Sequence, residues 1–135
     1  MAHWLMKSEP FKYSWDQMQV DGRTHWDGVR NYQASNNLKA MRLGDECFFY
    51  HSNEGLAIVG IVEIVKEYYP DPSDEGGRFG MVDVAPKRSV PAPVTLAAIK
   101  AEPALADLPL VRQSRLSVSP VPDDAWALLC KMGGL

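Results

Sequence analysis

The chain has 135 residues, of which 46% are hydrophobic and 23% charged, and its formal net charge is −3. At roughly 150 residues one core buries about 68–70% of the surface of the unfolded chain, so a single domain over residues 1–135 needs no metal or disulfide staple. The acidic balance excludes a protein that wraps a long duplex by neutralising many phosphates, and leaves room for a small contact with nucleic acid.

Residues 3–6 are apolar or aromatic and give way to Lys7-Ser8-Glu9-Pro10, where proline disfavours helix at Glu9 and removes a ladder donor. This predicts a strand that ends there. Ser14 with Gln17 makes a capping box for a helix through Val20, stopped by Asp21-Gly22. Asn31 caps a second helix in which Ala34, Leu38 and Met41 recur at i, i+4 and i+7, and Gly44-Asp45 marks its exit. Cys47–Tyr50 and Leu56–Tyr69 read as paired core strands, close enough in sequence for an antiparallel hairpin, with Gly60 predicting a bulge or bend. The Asp, Glu, Gly and Pro of residues 70–80 predict a solvated loop, and Met81–Ala85 alternates as a strand before prolines punctuate the chain. Thr95 caps a short helix through Ala101, Pro103 starts another turn, and Arg115–Val121 reads as a last strand. Pro122 and Asp123-Asp124 then open a helix with Ala125, Leu128, Leu129 and Met132 on one stripe, ended by Gly133-Gly134. The central strand pair has no room for a crossover helix. That argues against a doubly wound parallel sheet and for an α+β fold, a curled mixed sheet with flanking helices.

Cys47 and Cys130 lie far apart in apolar patterns and outside any metal-ligand spacing, so both read as reduced core residues, and no metal or cofactor is expected. The longest apolar run, Leu56–Val62, is far short of the roughly 18 residues of a membrane span. Lys7 follows too soon for a signal-peptide core, and the expected compartment is the cytoplasm. There is no phosphate loop, nucleophile elbow or H-E-x-x-H, and Gly76–Gly80 joins no strand to a helix, so it reads as a turn. His3, His25 and His51 are scattered and read as structural.

Two places carry chemistry. In Trp26-Asp27-Gly28-Val29-Arg30-Asn31-Tyr32, Trp26 and Tyr32 offer flat faces to a planar ligand, Asn31 can donate and accept at a base edge, and Gly28 permits close backbone approach. The same residues also suit half-buried aromatics and a helix cap. Lys7-Ser8-Glu9 leaves a strand end with a cation, a hydroxyl and a carboxylate side by side, and Arg115 and Ser117 lead the last strand. These also suit solvated surface charges.

Four ordered blocks, Trp4–Pro10, Trp26–Ala34, Gly44-Asp45 with Phe48–Ser52, and Leu110–Val118 with Pro120-Val121, resemble the EVE domain, a PUA-like fold related to the YTH domain. The resemblance covers nearly the whole chain. It implies a PUA-like curled, pseudo-barrel sheet and a pocket that accepts a modified nucleobase turned out of its strand. On this resemblance the candidate ligand-binding residues are Lys7, Ser8, Glu9, Trp26, Gly28, Val29, Arg30, Asn31, Tyr32, Ser52, Asn53, Arg115 and Ser117. Family members often carry a longer insertion, commonly with a tryptophan, where this chain has only residues 71–79.

The expected partner is therefore nucleic acid bearing a modified cytosine or adenine, DNA ahead of RNA, with few phosphates contacted and a shallow salt dependence. An amidohydrolase acting on a modified nucleoside is the alternative, with Lys7 as base or nucleophile and Glu9 in proton transfer. Strand alternation stands against it, since Lys7 and Ser8 should face opposite sides. A small-ligand or protein-interaction adaptor is a third reading.

Overall fold

The computed structural model describes residues 2–135. Strand β1 (His3–Ser8) runs parallel to β3 (Glu46–His51), which forms the expected hairpin with β4 (Ala57–Pro70), and β4 is antiparallel to β5 (Gly80–Thr95). A short β2 (Thr24–His25) pairs with β5 at one edge, and β6 (Val118–Pro120) pairs antiparallel with β1 at the other. The order β2-β5-β4-β3-β1-β6 leaves the sheet open. Between β1 and β3 lie α1 (Trp15–Asp21) and α2 (Tyr32–Ala40), and α3 (Leu96–Lys100), a 3-10 turn (Pro103–Leu105), α4 (Pro109–Arg112) and α5 (Asp123–Met132) follow β5. The fold is α+β. No helix among the described residues is long and apolar enough to cross a membrane.

Both predicted caps form: Ser14 Oγ accepts the Gln17 N–H, and Asn31 Oδ1 accepts the Ala34 N–H. Gly22 closes α1 at φ 70°, where a side chain would be strained. Gly60 sits where register shifts and where Trp15 packs so closely that an added Cβ would lie 2.3 Å from its ring. The expected bulge is therefore also a close approach of helix to strand.

The sequence reading underestimates β5 and overestimates β6. Strand β5 continues past Ala85 through three prolines because, beyond its pairing with Thr24 and His25, its outer side has no strand neighbour and needs no N–H there. At the far end Arg115 and Leu116 turn instead of pairing, and the ladder resumes where Lys7 N–H donates to the Ser117 carbonyl at 2.9 Å. Nor is the loop after β4 fully solvated: Asp71 and Phe79 are buried.

Both faces of the sheet are covered. Trp4, Met6, Cys47, Phe49, Val82 and Val84 pack on one side with Trp15, Met18, Trp26 and α2. Leu5, Phe48, Tyr50, Ile58 and Ile61 pack on the other with α3, α4 and α5. The alternation of β1 and β3 is strict, whereas the irregularity at Gly60 lets Ile58 and Ile61 share a face.

Candidate functional site

Where β1 runs out, the chain turns on Glu9, whose carbonyl accepts the N–H groups of both Lys12 and Tyr13 at 2.9 Å. Facing this turn, Trp26 continues the line of β2 by donating its N–H to the Val82 carbonyl at 2.7 Å. Between them lies a hollow of about 370 Å³ bordered by Lys7, Ser8, Glu9, Lys12, Tyr13, Thr24, His25, Trp26 and Asp27. Its volume falls in the range of small-molecule sites, roughly 300–1,000 Å³.

Trp26 is 9% exposed, its ring edge-on to Phe49 with centroids 5.7 Å apart. It is a wall of the hollow and belongs to the core at the same time. Trp4 and Trp15 donate their indole N–H groups to Asp45 and Ser89, whereas the Trp26 indole N–H has no acceptor among the described residues and is not sealed from solvent. It is an unused donor at a cavity wall. Opposite it, burial pushes the Lys7 ammonium below the ordinary lysine value, and Lys7 Nζ donates to the Ser114 carbonyl at 2.9 Å. The Ser8 hydroxyl donates to the Tyr13 carbonyl. Both residues border the hollow, but their side chains are tied to different elements, as strand alternation requires. Glu9 pairs with Lys12 at 3.4 Å, and Tyr13 donates its hydroxyl to Asp21 at 2.8 Å, which with burial raises its pKa.

The predicted site residues do not all gather here. Lys7, Ser8, Glu9 and Trp26 do. Gly28, Val29 and Arg30 lie behind the wall: Val29 is buried, while the Gly28 N–H and the Arg30 guanidinium both bond Asp71. Tyr32, 60% exposed, packs on Phe79 and faces away from this hollow. Trp26 and Tyr32 thus form no common stacking pair, because α2 begins at Tyr32 and turns it outward. Asn31 and Arg115 border a second hollow of about 320 Å³ with Gln33, Arg112, Gln113, Ser114 and Leu116. Ser52 gives its N–H to the Ser8 carbonyl and Ser117 accepts the Lys7 N–H, so both hold the backbone of β1. Asn53, at φ 71°, belongs to the hairpin turn and a third, shallower hollow.

Lys12, Tyr13, Thr24 and Asp27 also border the hollow without having been candidates, and His25, read as structural, borders it too. Two-residue β2 has no periodicity to announce it, and Tyr13 reads as a linker residue until the Glu9 turn folds it back. His51 is structural as expected: its Nε2 accepts the Trp15 N–H at 3.1 Å, and burial lowers its pKa against the pull of Asp16. No group of three His, Cys, Asp or Glu side chains among the described residues has a metal-holding arrangement.

The chain is similar to thymocyte nuclear protein 1 of Homo sapiens, 38% identical with 93% of this chain and 71% of that protein covered, and to the Gallus gallus protein, 37% identical, of which 66% is covered. Among solved structures, a Rhodopseudomonas palustris protein superposes with a TM-score of 0.94 at 54% identity over 99% of this chain and 94% of that one. The human THYN1 protein in complex with 5-methylcytosine containing DNA superposes with a TM-score of 0.92 at 36% identity over 100% and 99%. A YTH domain of Zygosaccharomyces rouxii in complex with N6-methyladenosine RNA, 16% identical with a TM-score of 0.62, shares the fold. The EVE domain matches residues 2–132, nearly the whole length, and the chain belongs to that family.

Proposed function

We propose that the chain is a nucleic-acid-binding module that reads one modified base, a modified cytosine in DNA, turned out of its strand into the hollow between the end of β1 and Trp26. The observation that carries this is a base-sized opening walled by an indole whose N–H is unused, in a chain that aligns end to end with a protein crystallised on 5-methylcytosine containing DNA. Extruding a base costs a few kcal/mol, and stacking on an aromatic returns roughly 1–3 kcal/mol, so edge hydrogen bonds need supply little more. Lys7 and the Trp26 N–H supply donors for such an edge, and the Tyr13 hydroxyl oxygen, its proton given to Asp21, an acceptor. With Glu9 and Asp27 at the rim, the hollow suits a neutral heterocycle better than a phosphate.

Calorimetry with a short DNA carrying one 5-methylcytosine, against the same strand unmodified, tests this. Tighter binding to the modified strand is expected, and Trp26→Ala should shrink the difference. Equal affinity across a panel of modified cytosines and adenines removes the proposal. Turnover of N4-acetylcytidine that disappears in Lys7→Ala replaces it with the amidohydrolase reading.

A further inference from the structure

We propose that Asp71 is the positioning residue of the base hollow, fixing the wall that carries Trp26 and Asp27 at its distance from the end of β1; this rests on the hollow being a base site. Residues 26–31 form neither helix nor strand. The segment is held at one end by the Trp26–Val82 backbone bond and at the other by the Asn31 cap. Between these ends its polar ties to the rest of the protein, among the described residues, run to one short stretch. Gly28 N–H donates to Asp71 Oδ2 at 2.9 Å, Arg30 Nη1 donates to the same oxygen at 3.2 Å, and Arg30 Nη2 donates to Ser73 Oγ at 2.9 Å.

Asp71 is built to hold that position. It follows directly on Pro70, the last residue of β4, and is 2% exposed, so it moves with the sheet. Its other oxygen accepts the Ser73 N–H and hydroxyl at 2.8 and 2.6 Å. The loop beyond is closed on itself: Asp74 accepts the N–H groups of Gly76, Arg78 and Phe79. Burial alone would favour a neutral carboxyl, but the donors from Ser73, Gly28 and Arg30 outweigh it and hold the acid ionised. Within its own loop the Asp71 carboxylate bonds only Ser73. The bonds to Gly28 and Arg30 reach 43 and 41 residues back along the chain, to the irregular segment that carries Trp26 and Asp27. Gly28 takes φ 78° to present its N–H to Asp71, and an added Cβ there would meet nothing, so backbone conformation rather than space calls for glycine. Val29, buried beside these bonds, keeps the segment attached when they are lost. Removing Asp71 should therefore shift the wall and not release it.

The test uses the full chain, a DNA carrying one 5-methylcytosine with its unmodified counterpart, and NMR of the isotope-labelled indole N–H groups. Asp71→Ala should move or broaden the Trp26 indole signal and leave that of Trp126, on the opposite face of the sheet, in place. It should also lower the ratio of modified to unmodified affinity by about tenfold, and Asp71→Asn, which keeps an oxygen for the Gly28 N–H, should restore part of it. In a Trp26→Ala background Asp71→Ala should leave the ratio unchanged, because its effect passes through that wall. A Trp26 signal that stays put in Asp71→Ala, or a ratio that falls further in the Trp26→Ala background, overturns the role of Asp71. A wild-type protein that prefers no modified base overturns the base reading instead, and the indole signal alone then decides whether Asp71 sets the wall. Where Asp71→Ala does not fold, Arg30→Gln, which leaves the carboxylate bonded to Ser73 and Gly28, is read by the same two measurements.

Discussion

On one face of the sheet Trp126 of α5 is sandwiched between Phe48 and His3, with ring centroids 3.9 and 4.1 Å away, and aliphatic side chains of α3, α4 and α5 fill the rest of that face. On the other face the large residues are tied by directed bonds. Asp45 takes the Trp4 indole N–H at 3.1 Å, Ser89 takes that of Trp15 at 3.0 Å, and Asp71 takes Gly28 and Arg30 behind Trp26. Apolar burial is strong but non-directional, and left to itself it closes cavities. Hydrogen bonds add less each and specify geometry. Both faces bury large apolar side chains, and the face that keeps the base hollow adds the directed kind around its tryptophans.

Trp126→Ala probes the packed face and should have the largest effect. Removing a buried tryptophan costs about 3–5 kcal/mol, seen as a lower denaturation midpoint, while the preference of the folded protein for a modified base is retained. A loss of that preference at permissive temperature would break the contrast between the two faces.

The two faces were also unequally legible. Local chemistry wrote the helix caps at Ser14 and Asn31, the Gly60 irregularity and the β3–β4 hairpin into short stretches of sequence, and all of them form. Trp126 is absent from the predicted stripe of α5 although it is buried there, because a four-position template skips the residue beside Ala125. Of the site, the strand end Lys7–Glu9 and Trp26 could be found because each announces itself by residue type at a break in pattern. Tyr13 and His25 could not, since only the Glu9 turn and the pairing of β2 with β5 bring them to the hollow. Asp71 was hidden by its surroundings. In a run of Asp, Pro, Ser and Gly an aspartate reads as solvated, and nothing local shows that its partners stand far upstream.

Acid titration separates the faces by a smaller amount. Opposed by burial but carried by Ser73, Gly28 and Arg30, the Asp71 pKa is lowered from 3.8 to about 2 in the folded protein. Its contribution is therefore complete above the unfolded value and is lost as pH falls through about 2. The span is worth about 2 kcal/mol. Asp71→Asn should be less stable than wild type by that order at neutral pH, with the gap narrowing between pH ~4 and ~2. Chemical denaturation at a series of pH values measures the gap, and a constant difference across that range would mean that the Asp71 bonds do not depend on its charge. Trp126→Ala changes no ionisable group, so its gap to wild type should be level over the same range.

The smallest expected effect sharpens the comparison within the open face, where the two hollows meet at the segment whose Ser114 carbonyl holds Lys7. The base hollow mixes Lys7 and Lys12 with Glu9 and Asp27, while the second hollow has Arg112 and Arg115 and no carboxylate in its lining. Arg112 is paired outward with Asp107 at 2.8 Å, and Arg115 has no ion pair among the described residues. A strand with its base in the first hollow and its backbone along the second would therefore meet a free guanidinium at Arg115. Arg115→Ala should weaken modified and unmodified DNA alike and reduce the slope of log K against log salt by about one, leaving the ratio of the two affinities where it was. Binding measured over a salt series with both strands reads slope and ratio together. A changed ratio at constant slope would place Arg115 at the base rather than the backbone, and would merge into one site the two hollows that charge now separates.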